Sequence, residues 1–373
     1  VFATSLITTG LHRSLKELSY KDKITVQSYG ATAEFSPGRI TIGGTFLKTQ
    51  FNPPINPYEK LYNILNFRGN EITNFSIFSS VQIPGGYGWT EFAMDHKRNY
   101  ALIAGLLNSP SSAVTTILIY RDYSPSYYSY HAFAISESYK VQNERGLLTG
   151  LSVMLTRKLT FTGYFDVFYF PWARYNVNGP SSGYDVLLQV NYSINRRTFF
   201  YVSGKYEVKQ TNKNSSDEPS ISPLTPVNTG YVRLHLRYAI SSNLTVDARG
   251  EHKIYQNYIK NSNGSLAYLQ ANYRLPYGTA NLILRYVLFN TDDYDSRIYT
   301  YEPAPLYVLR LPALYYSGNR IIAMLRVSPS EKITIWFRYS STFYPERQYI
   351  GSNENRVFSN RVSEIIGQIR IIL

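Results

Sequence analysis

A two-residue alternation of apolar and polar side chains is the feature that most constrains this sequence, and it is clearest from Leu159 to Tyr169. Every second residue of that run is apolar or small, and the residues between them include Thr160 and Asp166. Successive side chains of a β-strand point to opposite sides, so a period of two indicates a strand with one apolar face. The sequence therefore predicts amphipathic strands.

The connections between such runs alternate between short and long. Tight turns at 156–158 and 195–197 each join two neighbouring runs, whereas the polar stretch 171–183 separates one pair of runs from the next. Short turns on one side and longer loops on the other are typical of outer-membrane barrels. About 17 strands are predicted, at 24–35, 40–50, 74–83, 89–95, 100–107, 114–121, 144–155, 159–169, 184–194, 198–210, 230–240, 244–255, 265–275, 279–289, 320–327, 332–343 and 361–373.

The composition favours a membrane barrel over a soluble protein. Charged residues make up only 17% of the 373 residues, and 36 residues are Tyr, whose ring and hydroxyl suit the boundary between lipid and water. No stretch approaches the roughly 20 apolar residues that a spanning helix needs, which leaves a closed barrel as the spanning structure. We therefore expect an all-β fold, a transmembrane antiparallel outer-membrane β-barrel over 24–373, after a lead-in segment at 1–23. Its expected location is the bacterial outer membrane, with lipid as a partner.

The lead-in segment has two local features. Ser14-Leu-Lys-Glu17 has the spacing of a capping box and predicts one helical turn, and 1–9 could supply the end of a strand. Single-chain bacterial barrels have even strand numbers, whereas the strand count here is about 17. We therefore expect at least one more strand, either from 1–9 or from sequence outside this chain, which would make these strands part of a larger barrel.

The alternation also predicts which side chains face lipid and which face the lumen. In 230–240, Leu234 and Leu236 fall on one face and Arg233 falls on the other. An Arg or Lys at the bilayer midplane costs about 2–4 kcal/mol, so the charged face is expected to point inward. The lumen-lining candidates are Arg233, His235, Arg237, Asp247, Arg249, Glu251, Arg285, Arg338 and Arg370.

Two long connections stand apart from this pattern. The stretch 211–228 is polar and contains three prolines, which indicates a surface loop. The longest connection, 290–319, is rich in Tyr and Pro, and it could fold inward or cap the mouth of the barrel.

Residues that could carry catalysis or bind a ligand form no recognisable motif. The sequence has no Cys, and its five histidines lack metal-ligand spacing, so we predict no metal, no cofactor and no enzyme. Pro84-Gly-Gly-Tyr-Gly88 lies between two strands and lacks a following Lys-Ser or Lys-Thr, so it is predicted to be a turn. Tyr127, Tyr128 and Tyr130, with Arg121 and Lys140 nearby, could stack single-stranded bases or sugars, but an aromatic girdle or a structured loop is the favoured interpretation.

Several segments resemble a family of Bacteroidota outer-membrane proteins in which a helix-hairpin-helix domain precedes a large barrel. The resemblance implies that this chain corresponds to the C-terminal barrel part of the family, and it supplies no catalytic residues. The matching segments are Ser5-Leu6, Thr8-Thr-Gly10, His12-Arg13, Val141-Gln-Asn-Glu-Arg-Gly-Leu147, Phe170-Pro-Trp172, Pro180-Ser-Ser-Gly183, Ser296-Arg-Ile-Tyr299, Tyr301-Glu302, Pro312-Ala313 and, more generally, 309–373.

The predicted function follows from the barrel and from the formal net charge of +13. A barrel of roughly 18 strands is wide enough for an aqueous lumen, which favours a porin-like passage for polar, preferentially anionic solutes. The first alternative is a structural or assembly subunit with a filled lumen that binds other envelope proteins. Capture or passage of nucleic acid is the further alternative, suggested by the basic charge and by the family's helix-hairpin-helix domain.

Overall fold

The computed structural model describes residues 2–7, 14–213, 223–275, 279–351 and 356–372. Within these residues the chain forms seventeen long strands that belong to one sheet, and two short strands that form a second sheet. The first ten strands are β1 (Thr25–Phe35), β2 (Ile40–Ile55), β3 (Gly69–Ile83), β4 (Gly86–Asp95), β5 (Tyr100–Ser111), β6 (Val114–Tyr123), β7 (Glu144–Thr156), β8 (Leu159–Phe170), β9 (Ser181–Asn195) and β10 (Thr198–Asn212). The others are β11 (Leu224–Ala239), β12 (Leu244–Gln256), β13 (Asn261–Arg274), β14 (Ala280–Thr291), β15 (Ile298–Tyr299), β16 (Ala313–Leu314), β17 (Ser317–Ser330), β18 (Ile333–Phe343) and β19 (Arg361–Ile371).

The seventeen long strands correspond one to one with the predicted runs, so the predicted strand number is confirmed for the described part of the chain. Several strands begin earlier than predicted where they leave a long loop: β3 begins at Gly69 and β11 at Leu224. A strand ladder is held by backbone hydrogen bonds, so pairing continues where the alternation of side chains has stopped. The predicted turn at 276–278, residues 214–222 of the predicted surface loop 211–228 and the last residue of the predicted strand 361–373 lie outside the described residues.

The lead-in segment contains the predicted helical turn. Helix α1 (Leu15–Ser19) begins after Ser14, whose hydroxyl accepts the backbone N–H of Glu17 at 3.3 Å, as the capping-box spacing predicts. Within 2–7, Ala3 makes an isolated parallel bridge to the end of β2 rather than a strand, and the rest of 1–9 lies outside the described residues. No helix in the described part of the chain is long and apolar enough to cross a membrane.

Most long strands carry exposed apolar side chains on one face, although some apolar side chains, such as those of Ile119 and Val287, are buried on the other. Between β11 and β12, Arg233 lies opposite Glu251 and Leu234 lies opposite Gly250. Leu234 is 48% exposed, whereas Asp247 on the polar face is 3% exposed. Exposed apolar side chains in continuous rows need lipid rather than water around them. The fold is therefore that of an outer-membrane β-barrel, and the bacterial outer membrane is its location.

The strands group into two compact units, each with buried clusters of its own. In the first unit, the connection between β6 and β7 packs against apolar residues near β2: the ring of Tyr128 stacks on Phe67 with 4.9 Å between centroids, and Tyr130 contacts Phe51 edge-on at 5.7 Å. The first unit comprises Val1–Val153, Gly163–Val186 and Glu207–Val227, and the second comprises Met154–Thr162, Leu187–Tyr206 and Asn228–Leu373.

The long connection of the second unit folds inward, which is one of its two predicted courses. It carries β15 and β16, whose residues Ile298 and Leu314 are buried in one cluster with Val287 and Ile322. Val287 is two residues from Arg285 on β14, so the connection covers the polar face. The face predicted to be charged therefore also carries an apolar patch, because this connection packs on it.

Candidate functional site

Six of the arginines on the polar face of the second unit bind one set of carboxylates and polar groups, and we call these six the arginine ladder. Alternation places each of them opposite the apolar face, and the antiparallel register brings neighbouring strands into line: Arg320 lies opposite Val287, and Arg338 lies opposite Met324. The ladder consists of Arg233 and Arg237 on β11, Arg249 on β12, Arg285 on β14, Arg320 on β17 and Arg338 on β18.

Two carboxylates bind the arginines of β11 and β12. Glu251 accepts the Nε–H of Arg233 at 2.6 Å and the Nε–H of Arg249 at 3.1 Å through the same oxygen. Asp247 accepts the Nε–H of Arg237 at 2.6 Å. Both carboxylates are buried, whereas the side chain of Arg237 is 59% exposed. The arginines of β11 and β12 are therefore ion-paired, but the side chain of Arg237 remains exposed.

Arg285 is buried without a carboxylate partner among the described residues. Its Nε and Nη2 donate to Oε1 of Gln270 at 2.9 and 2.6 Å, and its Nη1 donates to the carbonyl of Tyr301 at 2.6 Å. The guanidinium also lies over the ring of Tyr268, 4.2 Å from its centroid. Because Gln270 donates in turn to Asp247 at 3.2 Å, Arg285 and Gln270 connect Asp247 to the inward-folded connection.

Glu302 brings the inward-folded connection onto the ladder. Its buried carboxylate accepts two hydrogen bonds from Arg320, at 2.6 and 2.8 Å, and one from Arg338 at 2.5 Å. Arg338 also donates to Glu364 at 2.9 Å, and Glu364 accepts from Arg310 at 2.5 Å. Charge-assisted bonds of this kind are about twice as strong as neutral ones. The connection is therefore tied to the polar face by charge as well as by apolar packing.

The network as a whole has an excess of positive charge. Each of its carboxylates accepts at least one arginine N–H, so none is left to neutralise the surplus cations. The side chains of Arg237 and Arg310 are 59% and 38% exposed, so their charges can be reached by a solute. A basic surface of this kind attracts and binds anions. The network consists of the ladder and Arg310 with Asp247, Glu251, Glu302 and Glu364.

A compact turn fixes the start of the inward-folded connection. Lys260 contacts the carboxylates of Asp293 and Asp295 at 2.6 Å each, and hydrogen bonds to these two groups raise the pKa of Lys260. Burial acts to raise the pKa of Asp293, but hydrogen bonds from Lys260, from Ser262 and from the backbone outweigh it. The pKa of Asp293 therefore lies well below its ordinary value. The turn is an ion-paired anchor beside the ladder.

All nine residues predicted to line the lumen fall on the polar face of their strands. Eight belong to the network or touch it; His235, for example, lies 3.7 Å from Asp247 and stacks on Tyr201. Arg370 lies apart, with its guanidinium 6.0 Å from the ring of Trp336. The role of these residues in lining an aqueous lumen stays a prediction. Those that join the network are Arg233, His235, Arg237, Asp247, Arg249, Glu251, Arg285 and Arg338.

Arg310, Arg320 and Glu302 belong to the network but were not predicted from the sequence. Arg320 is the first residue of the predicted strand 320–327 and alternates with the exposed Ile321, so the period of two already places it on the polar face, but it was not among the lumen-lining candidates. Glu302 lies in a connection without periodicity, so no local pattern could have identified it. Its position depends on how the whole connection packs.

A second charged group lies in the first unit, and we call it the Arg121 clamp. Arg121 is fully buried; its Nε donates to Glu144 at 2.5 Å, and its two terminal nitrogens donate to the two oxygens of Asp166 at 2.9 and 3.0 Å. Glu144 also accepts the backbone N–H groups of Glu137 and Ser138 at 2.9 and 3.1 Å. One arginine is thus enclosed by two carboxylates, which fasten the connection between β6 and β7.

Two motifs weighed as ligand sites have structural roles. In Pro84-Gly-Gly-Tyr-Gly88, the first two residues form the turn from β3 into β4, with Gly85 at a φ of 70°, and the other three begin β4. Tyr127 is buried and Tyr128 is stacked on Phe67, while Arg121 is enclosed in its clamp. The structured-loop interpretation of these tyrosines is therefore confirmed.

Known proteins resemble this chain only distantly. No known family matches the sequence, and no curated protein matches it. Similar solved structures include a loop-deletion mutant of OmpT, an outer membrane protein of Vibrio cholerae, with 9% identity, a TM-score of 0.41, and coverage of 94% of this chain and 99% of that one. The outer membrane channel DcaP of Acinetobacter baumannii has 8% identity, a TM-score of 0.41, and coverage of 82% and 97%. An anion-selective porin from Comamonas acidovorans has 10% identity, a TM-score of 0.40, and coverage of 93% and 99%. Likenesses this distant carry no conclusion about function.

Proposed function

We propose that this chain forms a porin-like passage for polar solutes across the bacterial outer membrane, with a preference for anions. The observation that carries the proposal is the arginine ladder, whose cations outnumber the carboxylates that pair with them. Fixed positive charge on a pore wall raises the local concentration of anions and lowers that of cations. The function is passage rather than catalysis, and it uses no cofactor.

Conductance of the purified protein in planar lipid bilayers tests this proposal. We expect discrete openings whose chloride current falls when the two exposed arginines are removed in an Arg237→Ala, Arg310→Ala variant. Lys16→Ala, Lys21→Ala is the matched control, because it also removes two positive charges, and both lysines are exposed and lie outside the network. Equal loss in the control and in the arginine variant would contradict a role for the ladder.

A structural or assembly subunit is the second candidate function. It is favoured by the inward-folded connection, which buries Ile298 and Leu314 and ties Glu302 to two arginines. A polar face filled in this way suits a subunit that other envelope proteins bind through its loops. Bilayers that stay silent, together with partner proteins that remain bound through purification, would favour this function over passage.

Membership in the Bacteroidota barrel family with a helix-hairpin-helix domain remains a proposal, and capture or passage of nucleic acid comes with it. The exposed arginines of the ladder would then contact phosphates. Binding to DNA that weakens steeply as salt is raised would support this function. Binding that does not change with salt would contradict it.

A further inference from the structure

A cleft in the first unit differs from the rest of this basic protein, and we call it the acidic cleft. It has a volume of about 340 Å³ and is lined by residues of β2 to β6 and of the connection that joins β6 to β7. None of the described residues around it is Lys or Arg. Its main lining residues are Glu91, Ile103, Tyr127, Ser129, His131 and Phe133.

The carboxylate of Glu91 is the charged group that remains available in this cleft. Among the described residues it makes no hydrogen bond or ion pair, and the residue as a whole is exposed. The neighbouring Asp95 is already engaged, because it accepts the backbone N–H groups of Lys97 and Asn99 at 2.9 and 3.0 Å. A positive group that enters the cleft would therefore find a free partner in Glu91.

The walls of the cleft are apolar and aromatic. Ile103 and Ala101 form the floor, Tyr127 is buried beside them, and the ring of Phe133 is fully exposed. Burial raises the pKa of Tyr127 to about 12, and the negative charges of Glu91 and Asp95 act in the same direction. The cleft therefore combines a negative charge with apolar and aromatic walls.

The connection that closes the cleft is held in place before any ligand arrives. The carbonyl of Tyr128 accepts a hydrogen bond from Asn74 at 2.9 Å, and Nε2 of His131 lies 2.9 Å from the hydroxyl of Ser28. A preformed site of this kind loses little conformational entropy when it binds.

We propose that the acidic cleft binds a small amphipathic cation, an ammonium group that carries an aromatic or branched apolar body. The ammonium pairs with the carboxylate of Glu91, and the apolar body lies between Phe133 and the floor at Ile103. A volume of about 340 Å³ is within the range of small-molecule sites. Aromatic faces add cation–π attraction for ammonium groups, above all quaternary ones. The site is independent of the proposed passage of anions, which depends on the second unit.

Isothermal titration calorimetry of the whole chain in a non-ionic detergent tests the site, with benzyltrimethylammonium as the probe and phenylacetate as its anionic counterpart. We expect saturable binding of the ammonium probe alone. Glu91→Gln should weaken that binding at least about tenfold, because the amide keeps the shape of the carboxylate and loses its charge.

Two further variants separate the site from general effects of charge or folding. Phe133→Ala should weaken binding severalfold with no loss of fold, because this ring is fully exposed. Glu331→Gln removes the same charge from the turn between β17 and β18 and should leave the affinity unchanged. Equal affinity in Glu91→Gln and the unaltered protein would overturn the proposal. Equal binding of phenylacetate, or no saturable binding up to about 10 mM probe, would overturn it as well.

Discussion

The Arg121 clamp and the arginine ladder both place arginines on the polar face of amphipathic strands, yet their charge balance is opposite. In the clamp, one fully buried arginine is enclosed by Glu144 and Asp166. In the ladder, arginines outnumber carboxylates, and Arg237 remains largely exposed. A charged residue on the polar face can therefore be either a structural fastening or an available binding group. The number of carboxylates per arginine and the exposure of the arginine side chain decide between these two roles.

The largest expected effect tests the clamp as a fastening. Arg121→Met leaves two buried carboxylates without their cation, so the free energy of unfolding in urea should fall by about 3–5 kcal/mol. Adding Glu144→Gln and Asp166→Asn to the same chain removes the uncompensated charges and should restore part of that loss. A loss in Arg121→Met no greater than in an exposed variant such as Lys16→Ala would contradict the structural role.

The next effect tests the face on which the ladder lies. Leu234→Arg places an arginine on the exposed apolar face of β11 and should destabilise the inserted protein by about 2–4 kcal/mol, whereas Arg233→Leu one position away should cost less. Folding into lipid vesicles, measured by urea titration, distinguishes the two. If Arg233→Leu impaired insertion more than Leu234→Arg, the assignment of the faces would be wrong.

A smaller effect is expected when one of the carboxylates that pair with the ladder is removed. Glu302→Gln removes negative charge from between Arg320 and Arg338, so it should lower the free energy of unfolding by about 1.5–3 kcal/mol. The same change adds to the cationic surplus, so the preference for anions in bilayer recordings should increase. A decrease in that preference would mean that the ladder does not act on the permeating solute.

The smallest effect concerns the anchor beside the ladder. The pKa of folded Asp293 lies below the value of about 3.9 expected in an unfolded chain. Its stabilising contribution is therefore complete above about pH 3.9 and is lost as the pH falls through the folded pKa. Amide exchange at 292–297 should accelerate in that acidic range in the unaltered protein. Asp293→Asn should exchange faster already at neutral pH and should lose the acid-dependent change, and an unchanged acid response would contradict the anchor.

How far the sequence predicted these two regions depends on the kind of pattern each one contains. The ladder could largely be predicted, because Arg233, Arg249 and Arg285 lie at alternate positions in strands with strong apolar periodicity. The clamp could not, because Glu144 and Asp166 belong to different strands and meet Arg121 only through the register across β7. Glu302 was also unpredictable, because apolar packing of the connection, rather than a local repeat, sets its place.

The zero-current voltage across a planar bilayer with a potassium chloride gradient tests most directly whether the surplus charge of the ladder selects the solute. We predict a voltage displaced toward the chloride equilibrium potential, and a smaller displacement in the Arg237→Ala, Arg310→Ala variant. A voltage displaced toward the potassium equilibrium potential, or one that is the same in both proteins, would contradict the assignment of the ladder as an anion-selecting surface.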